Sequence, residues 1–204
     1  MGVGCQHKEK ELRLMRKHQS RVLKIALALN AAMFIIEMAT GILSGSNALK
    51  ADALDMFGDA LAYGFSLYVV AQSMQWKARA SLLKGGFMAF FGLAVAAETL
   101  WRVLFPMVPE SFTMSSIGVL ALLVNITCLY LLNRHKNDDI NMTSVWLCSR
   151  NDIFANVGII VASAGVFLTH SQWPDVFVGA VIACLFLQTS VGVIRDSYKH
   201  LNAI

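Results

Sequence analysis

Residues 51–59 read Ala51-Asp52-Ala53-Leu54-Asp55-Met56-Phe57-Gly58-Asp59, and they place three carboxylates inside an apolar run from about 47 to 72. A charged side chain in the middle of a membrane costs about 3 kcal/mol or more. At about 100° per residue, the three aspartates fall on one helix face together with Tyr63 and Ser66. The flanks of this polar face are apolar. Such a helix is expected to line a path for a metal ion through a membrane.

The composition indicates a membrane protein. Of the 204 residues, 56% are hydrophobic and only 15% are charged, and the mean hydropathy is +0.58. An average soluble domain is about 25% charged. At about 20 residues per span, six helices would take about 120–150 residues and would leave only short loops. The predicted fold is all-α and polytopic, with six transmembrane helices.

Six apolar runs follow one another along the chain. They cover about 22–44, 47–72, 82–105, 112–133, 141–168 and 174–194. A tight-turn signal, Ser44-Gly45-Ser46-Asn47, separates the first two runs, and Pro106 and Pro109 end the third. The domain organisation predicted from this pattern has three parts. Residues 1–20 form a basic cytoplasmic segment in which an interfacial helix can lead into the first span, residues 21–200 form one six-helix transmembrane domain, and no soluble C-terminal domain is expected.

The positions of lysine and arginine predict the orientation. With six spans, both chain ends lie on the same side of the membrane, and that side takes 14 of the 17 basic residues. Lys50 and Arg102 fall on the other side, and Arg150 lies within a span. The positive-inside rule therefore makes both termini cytoplasmic. Because the basic residues are not spread over a soluble face, nucleic-acid binding is not expected.

A second polar pair occurs on the fifth helix. Cys148 and Asp152 are four residues apart and share a face. At about 1.5 Å of rise per residue, antiparallel second and fifth helices bring Asp59 to the depth of Cys148, and Asp55 to the depth of Asp152. Three carboxylates and a thiolate suit a tetrahedral transition-metal site. The predicted metal ligands are Asp55, Asp59, Cys148 and Asp152.

Further polar residues near these ligands are accessory candidates: Asp52, Asn30, Glu37, Asn151 and Asn156. Asp52 has two interpretations, an outer relay for the ion or a residue at the helix start that faces solvent. Asn30 and Glu37 share a face of the first helix. They either complete the cavity wall or form interhelical hydrogen bonds.

The remaining charged residues and cysteines are assigned structural roles or left open. Glu98 and Arg102 are four apart and are expected to pair near the outer interface. Arg150 points away from the proposed site, and the hypothesis is that it neutralises Glu37 or another buried carboxylate. Cys128 and Cys184 are interpreted as small apolar fillers. The tail residues Cys5 and His7 either catch metal at the cytoplasmic entrance or belong to a disordered segment.

The sequence resembles the cation diffusion facilitator family, whose members are membrane exporters of divalent transition metals. Ser44-Gly45-Ser46, followed by residues 51–55 and Asp59, resembles the second-helix motif, which has His or Asp, three residues, and then Asp. The stretch 148–152, followed by Asn156-Val157-Gly158, resembles the fifth-helix motif. Cys148 stands where the family commonly has His or Asp. The resemblance covers all six predicted helices.

The resemblance implies export of a divalent metal ion from the cytoplasm by proton antiport and alternating access. Zinc is the expected substrate, with cadmium, cobalt, nickel and iron as alternatives because the Cys148 thiol softens the ligand set. The implied partners are the metal ion and protons as substrates, the lipid bilayer, and a second copy bound through the transmembrane helices. Most family members continue into a cytoplasmic metal-binding domain, and many zinc exporters carry a His-rich loop between the fourth and fifth helices. Neither feature occurs in this sequence.

Other function classes are weighed against this one. The first alternative is a membrane metal sensor or subunit that binds an ion without moving it. A proton-coupled exporter of organic cations is disfavoured by the small, closely spaced ligand set. The sequence has no catalytic triad, phosphate loop or oxidoreductase motif, so neither enzymatic activity nor a cofactor is expected. The predicted location is the cell membrane, which would be the inner membrane in a Gram-negative bacterium.

Overall fold

The computed structural model describes residues 3–69, 74–136 and 140–202. In these ranges the secondary structure is helical. The helices in chain order are α1 (Val3–Ser44), α2 (Asn47–Val69), α3 (Met74–Leu104), α4 (Ser111–Asn133), α5 (Ile140–Thr169) and α6 (Trp173–Asn202). Five of these helices contain an 18-residue stretch apolar enough to cross a membrane. The exception is α2, because every such stretch of it contains Asp52, Asp55 and Asp59. The prediction of an all-α polytopic membrane protein is confirmed.

The helix bounds follow the sequence signals, with one large difference. Helix α1 begins at Val3 and not near residue 22, so the basic segment is continuous with the first span. Residues 3–21 are rich in Lys, Arg, Glu, Leu and Met, which are good helix formers, and contain no proline to stop the helix. Between α1 and α2, Gly45 has a φ of 71°, a left-handed conformation that ends a helix at low cost in glycine. Helix α3 ends at Leu104, just before Pro106, as predicted.

Helix α2 lies at the centre of the bundle. The closest packed pairs are α1 with α2, α3 with α6, and α4 with α5, and α2 also contacts α3, α5 and α6. Every residue from 44 to 54 is buried. The neighbouring helices therefore bury Asp52, and they also bury Asp59, whereas Asp55 is partly exposed. Burial against other helices is the usual arrangement of acidic side chains in a membrane.

Two apolar clusters flank the acidic stretch along the bundle. The first packs the beginning of α2 against α4, α5 and α6 and includes Leu49, Leu54, Met114, Ile159 and Val166. The second packs the later part of α2 against α1 and α4 and includes Leu23, Ala26, Tyr63, Cys128 and Leu132. Asp55 and Asp59 lie between these clusters along α2. The apolar packing on both sides holds this part of the helix in place.

Candidate metal site

Three of the four predicted ligands line one cavity. The cavity has a volume of about 550 Å³ and lies between α2, α5 and α6, and its wall includes Asp55, Asp59 and Asp152. Asp59 and Asp152 are only 7% and 6% exposed. Most of the remaining wall is apolar, with Phe154 and Phe186 among its residues. Carboxylates in such surroundings interact more strongly with a cation than they would in bulk water.

The aspartates share this cavity without forming a closed ligand cluster. Among the described side chains, no three His, Cys, Asp or Glu groups lie close enough together to hold a metal ion. Cys148 lies on α5, one turn before Asp152, but its side chain and that of Asn151 are outside the described residues. The four-ligand set therefore stays a prediction.

Tyr63 contacts one of the predicted ligands directly. Its hydroxyl donates a hydrogen bond of 2.9 Å to Oδ2 of Asp59, one turn earlier on α2. The Tyr63 ring is fully buried in the second apolar cluster. The sequence placed Tyr63 on the acidic face of α2, and the hydrogen bond follows from the spacing of four residues.

Asp52 belongs to a buried polar network beside the cavity. Its side chain is 0% exposed, so the interpretation of Asp52 as a solvent-facing residue is wrong. Asn156 of α5 donates a hydrogen bond of 2.6 Å to Oδ2 of Asp52. Asn125 of α4 donates one of 3.0 Å to Oδ1 of Asn156. The asparagines thus join three helices around Asp52, as polar residues commonly do in membrane interiors.

Glu37 brings a fourth helix into this network. Its carboxyl group is 0% exposed and lies in side-chain contact with that of Asp52. Both carboxyl groups carry buried oxygens without a hydrogen-bond donor. Glu37 and Asp52 thus form a buried acid pair, two neighbouring carboxyl groups that also lie near Asp55.

The residues of α1 do not form part of the described cavity wall. Asn30 donates hydrogen bonds to the Ala26 carbonyl oxygen at 3.0 Å and to Sγ of Cys128 at 3.7 Å. Among the described residues that line the cavity, none belongs to α1. The contacts of Asn30 with α4 and of Glu37 with α2 match the interhelical alternative. Cys128 is buried as predicted, whereas Cys184 is exposed on the outer surface of the bundle.

The structure corrects the role given to Arg150 and extends that of Glu98. Arg150 is exposed, with its guanidinium 5.5 Å from the centre of the Trp146 ring. It does not neutralise Glu37, which lies in the interior beside Asp52. Glu98 pairs with Arg102 at 3.7 Å, as predicted, and also with Lys50 of α2. The side chains of Cys5 and His7 lie outside the described residues.

Asp175 fixes the beginning of α2, a role that no local sequence pattern indicates. Its carboxylate accepts hydrogen bonds from the Ser46 hydroxyl at 2.6 Å and from the backbone N–H groups of Asn47 and Ala48 at 2.8 and 3.1 Å. A helix N-terminus attracts negative charge, because its first N–H groups have no partner within the helix. Asp175 thus holds the start of α6 against the start of the helix that carries Asp55 and Asp59.

The comparisons with known proteins agree with these features. Residues 23–202 match the family model of the cation efflux transmembrane domain. The chain belongs to the cation efflux family. This membership confirms the resemblance to the cation diffusion facilitators and identifies the chain as a multi-pass membrane protein.

Several curated members of the family are similar to this chain. The cation efflux system protein CzcD of Alcaligenes sp. (strain CT14) is 27% identical over 193 residues, covering 89% of this chain and 61% of the relative. The zinc transporter ZitB of Escherichia coli (strain K12) is 25% identical, covering 96% and 66%. The cadmium, cobalt and zinc/H(+)-K(+) antiporter of Bacillus subtilis (strain 168) is 23% identical, covering 89% and 63%. The chain therefore spans about three fifths of the length of CzcD.

Proposed function

We propose that this chain forms the membrane path of a transporter that exports a divalent transition-metal ion from the cytoplasm in exchange for protons. The observation that carries the proposal is the cavity between α2, α5 and α6, into which Asp55, Asp59 and Asp152 open. A small cation is the natural ligand for three carboxylates in an apolar wall. The matched relatives include a zinc transporter and a cadmium, cobalt and zinc antiporter. Zinc is accordingly the first ion to test.

Proton exchange follows from the chemistry of the predicted ligands. Carboxylates and thiolates bind a metal ion only when deprotonated, so metal and protons compete for the same atoms. When the site faces the cytoplasm, Asp55, Asp59, Cys148 and Asp152 would release protons and bind the ion. When the site faces the other side, protonation of the three aspartates would release the ion.

The first test is metal-driven proton flux in proteoliposomes that contain the purified protein. The ions are zinc, cadmium, cobalt, nickel, iron(II) and manganese. We expect flux with the wild type and its loss in Asp152→Asn, which keeps the side-chain shape but removes a charged ligand. Glu110→Gln is the matched control, because Glu110 is an exposed carboxylate outside the cavity wall, and we expect it to transport like the wild type.

Two outcomes would contradict the proposal. Equal flux in wild type and Asp152→Asn would remove Asp152 from the metal path. Stoichiometric metal binding with no flux for any ion would favour a sensor or subunit.

Cys148→His tests the remaining ligand, and we expect it to keep transport and to change the order of preferred metals. An unchanged preference would count against Cys148. Assembly into a homodimer through the transmembrane helices stays a prediction that cross-linking in the membrane can check.

A further inference from the structure

The hydrogen bond between Tyr63 and Asp59 bears on which metal ions the site can hold. The Tyr63 hydroxyl donates to Oδ2 of Asp59 at 2.9 Å, while Asp59 also lines the cavity. One oxygen of this carboxylate is therefore committed to a neutral donor inside the protein. Groups that hold a metal ligand in this way orient it and tune its strength as a ligand.

The surroundings of Tyr63 make this orientation rigid. The side chain is 0% exposed and packs with Leu23, Ala26, Cys128 and Leu132 from α1 and α4. A buried tyrosine hydroxyl requires a hydrogen-bond partner, and here the partner is the carboxylate at the cavity wall. Rotation of Asp59 away from Tyr63 would leave that hydroxyl buried without a partner. The packing of α1 and α4 thus constrains a ligand that lies on α2.

We propose that Tyr63 is a positioning residue that restricts Asp59 to binding a metal ion through one oxygen and thereby selects ions that accept a compact, four-coordinate site. Zinc and cobalt accept such a site. Larger ions favour more oxygen ligands, including carboxylates that bind through both oxygens, as calcium does. The inference rests on the proposed function, since it concerns the same cavity. It adds a determinant of selectivity that lies outside the ligand set itself.

The experiment measures equilibrium binding of zinc, cadmium and manganese to the purified protein. The test variant is Tyr63→Phe, which keeps the ring in the apolar cluster and removes only the hydroxyl. The matched control is Tyr130→Phe, because Tyr130 is 63% exposed on α4 and does not line the cavity. We expect Tyr63→Phe to bind zinc about tenfold more weakly, the lower end of the effect of losing such a partner. The preference for zinc over cadmium and manganese should fall with it, and Tyr130→Phe should match the wild type.

The ratio of two affinities separates a change in selectivity from general damage to the site. A site that is only loosened would bind all three ions more weakly by a similar factor. Zinc-to-cadmium and zinc-to-manganese ratios that stay within twofold of wild type in Tyr63→Phe would overturn the inference. The ultraviolet difference spectrum of the wild type provides a second measurement that does not depend on how well the variant folds. Binding at Asp59 should perturb the tyrosine absorption until the site is saturated, and an unperturbed spectrum at saturation would also overturn it.

The outcomes distinguish this inference from the proposed function. If the wild-type protein binds zinc but drives no proton flux, the proposed transport function is contradicted. The affinity ratios would still decide the role of Tyr63. If the wild-type protein drives flux and the affinity ratios are unchanged in Tyr63→Phe, the transport function is supported and the inference about Tyr63 is contradicted.

Discussion

The acidic residues of α2 divide into two that line the cavity and one, Asp52, whose contacts the sequence did not predict. Asp52, Asp55 and Asp59 share one face of α2 by periodicity, yet only Asp55 and Asp59 line the cavity. Asp52 meets Glu37 and Asn156 instead. Helical spacing defines which residues share a face, but it does not define which neighbouring helix each turn of that face meets. Asn125 was missed for the same reason, although a lone asparagine in the apolar fourth run was the signal available for it.

The acid pair of Glu37 and Asp52 leads to a prediction about stability. In Glu37→Gln, the amide group can donate a hydrogen bond to the buried Asp52 carboxylate, which an ionised carboxylate at position 37 cannot do. We expect Glu37→Gln to be at least as stable as the wild type at pH 8. Glu37→Ala leaves Asp52 without this neighbour and should lose about 1–3 kcal/mol. Thermal unfolding of both purified variants in detergent checks the prediction, and equal losses in the two would contradict it.

Helices and turns are the part of the structure that the sequence predicted best. Glycine and proline act locally, so Gly45 and Pro106 marked the ends of α1 and α3 correctly. The apolar pattern placed the beginning of the first span near residue 22, and the interfacial helix considered for residues 1–20 runs into it without a break from Val3. The hydrogen bonds of Asp175 to the beginning of α2 were also missed. They join residues nearly 130 positions apart in the chain, and local sequence patterns carry no information about such a contact.

The contact between Asp175 and α2 gives the second stability prediction. Asp175→Asn keeps the side-chain size but removes the negative charge and one of the two accepting oxygens, which together receive the Ser46, Asn47 and Ala48 hydrogen bonds. We expect a loss of about 1–3 kcal/mol, the range for an unsatisfied buried partner. Glu110→Gln is the control, because Glu110 is exposed. A melting temperature of Asp175→Asn equal to that of this control would show that the contact does not hold α2 in place.

For the whole molecule, several contacts tie the connections between helices together at one end. This outer end contains the α1–α2 turn, the α3–α4 connection and the α5–α6 turn, and is predicted to face away from the cytoplasm. Gln172 donates to the Arg102 carbonyl oxygen at 2.9 Å and accepts from the Met107 N–H at 2.7 Å. The Glu110 N–H donates to the Ser44 carbonyl oxygen at 3.0 Å. Under the proposed alternating access this end would have to separate, and these contacts would then belong to a state that is closed on the outside.

At the outer end, α2 and α6 approach each other closely at Gly179. A Cβ atom at this position would lie 2.9 Å from the backbone of Asn47 and Ala48, so Gly179→Ala must push the two helices apart. We expect it to destabilise the closed state by about 1–3 kcal/mol, the usual cost of overpacking. The proposed function has the ion bind from the cytoplasm, to the state that is closed on the outside. Because about 1.4 kcal/mol corresponds to a factor of ten in an equilibrium, a smaller population of that state should raise the metal concentration for half-maximal flux several-fold.

Gly192, on the same helix, provides the matched control for this substitution. Apart from its own stretch of helix, no atom of the described residues lies within 4 Å of a Cβ placed at Gly192, and alanine is the better helix former by about 1 kcal/mol. Gly192→Ala should therefore be as stable as the wild type or more stable, with unchanged half-saturation in proteoliposomes. Opposite effects of the same chemical change at two positions of α6 would place the outer closure at the α2–α6 contact. Identical behaviour of the two variants would mean that the outer end closes through other helices.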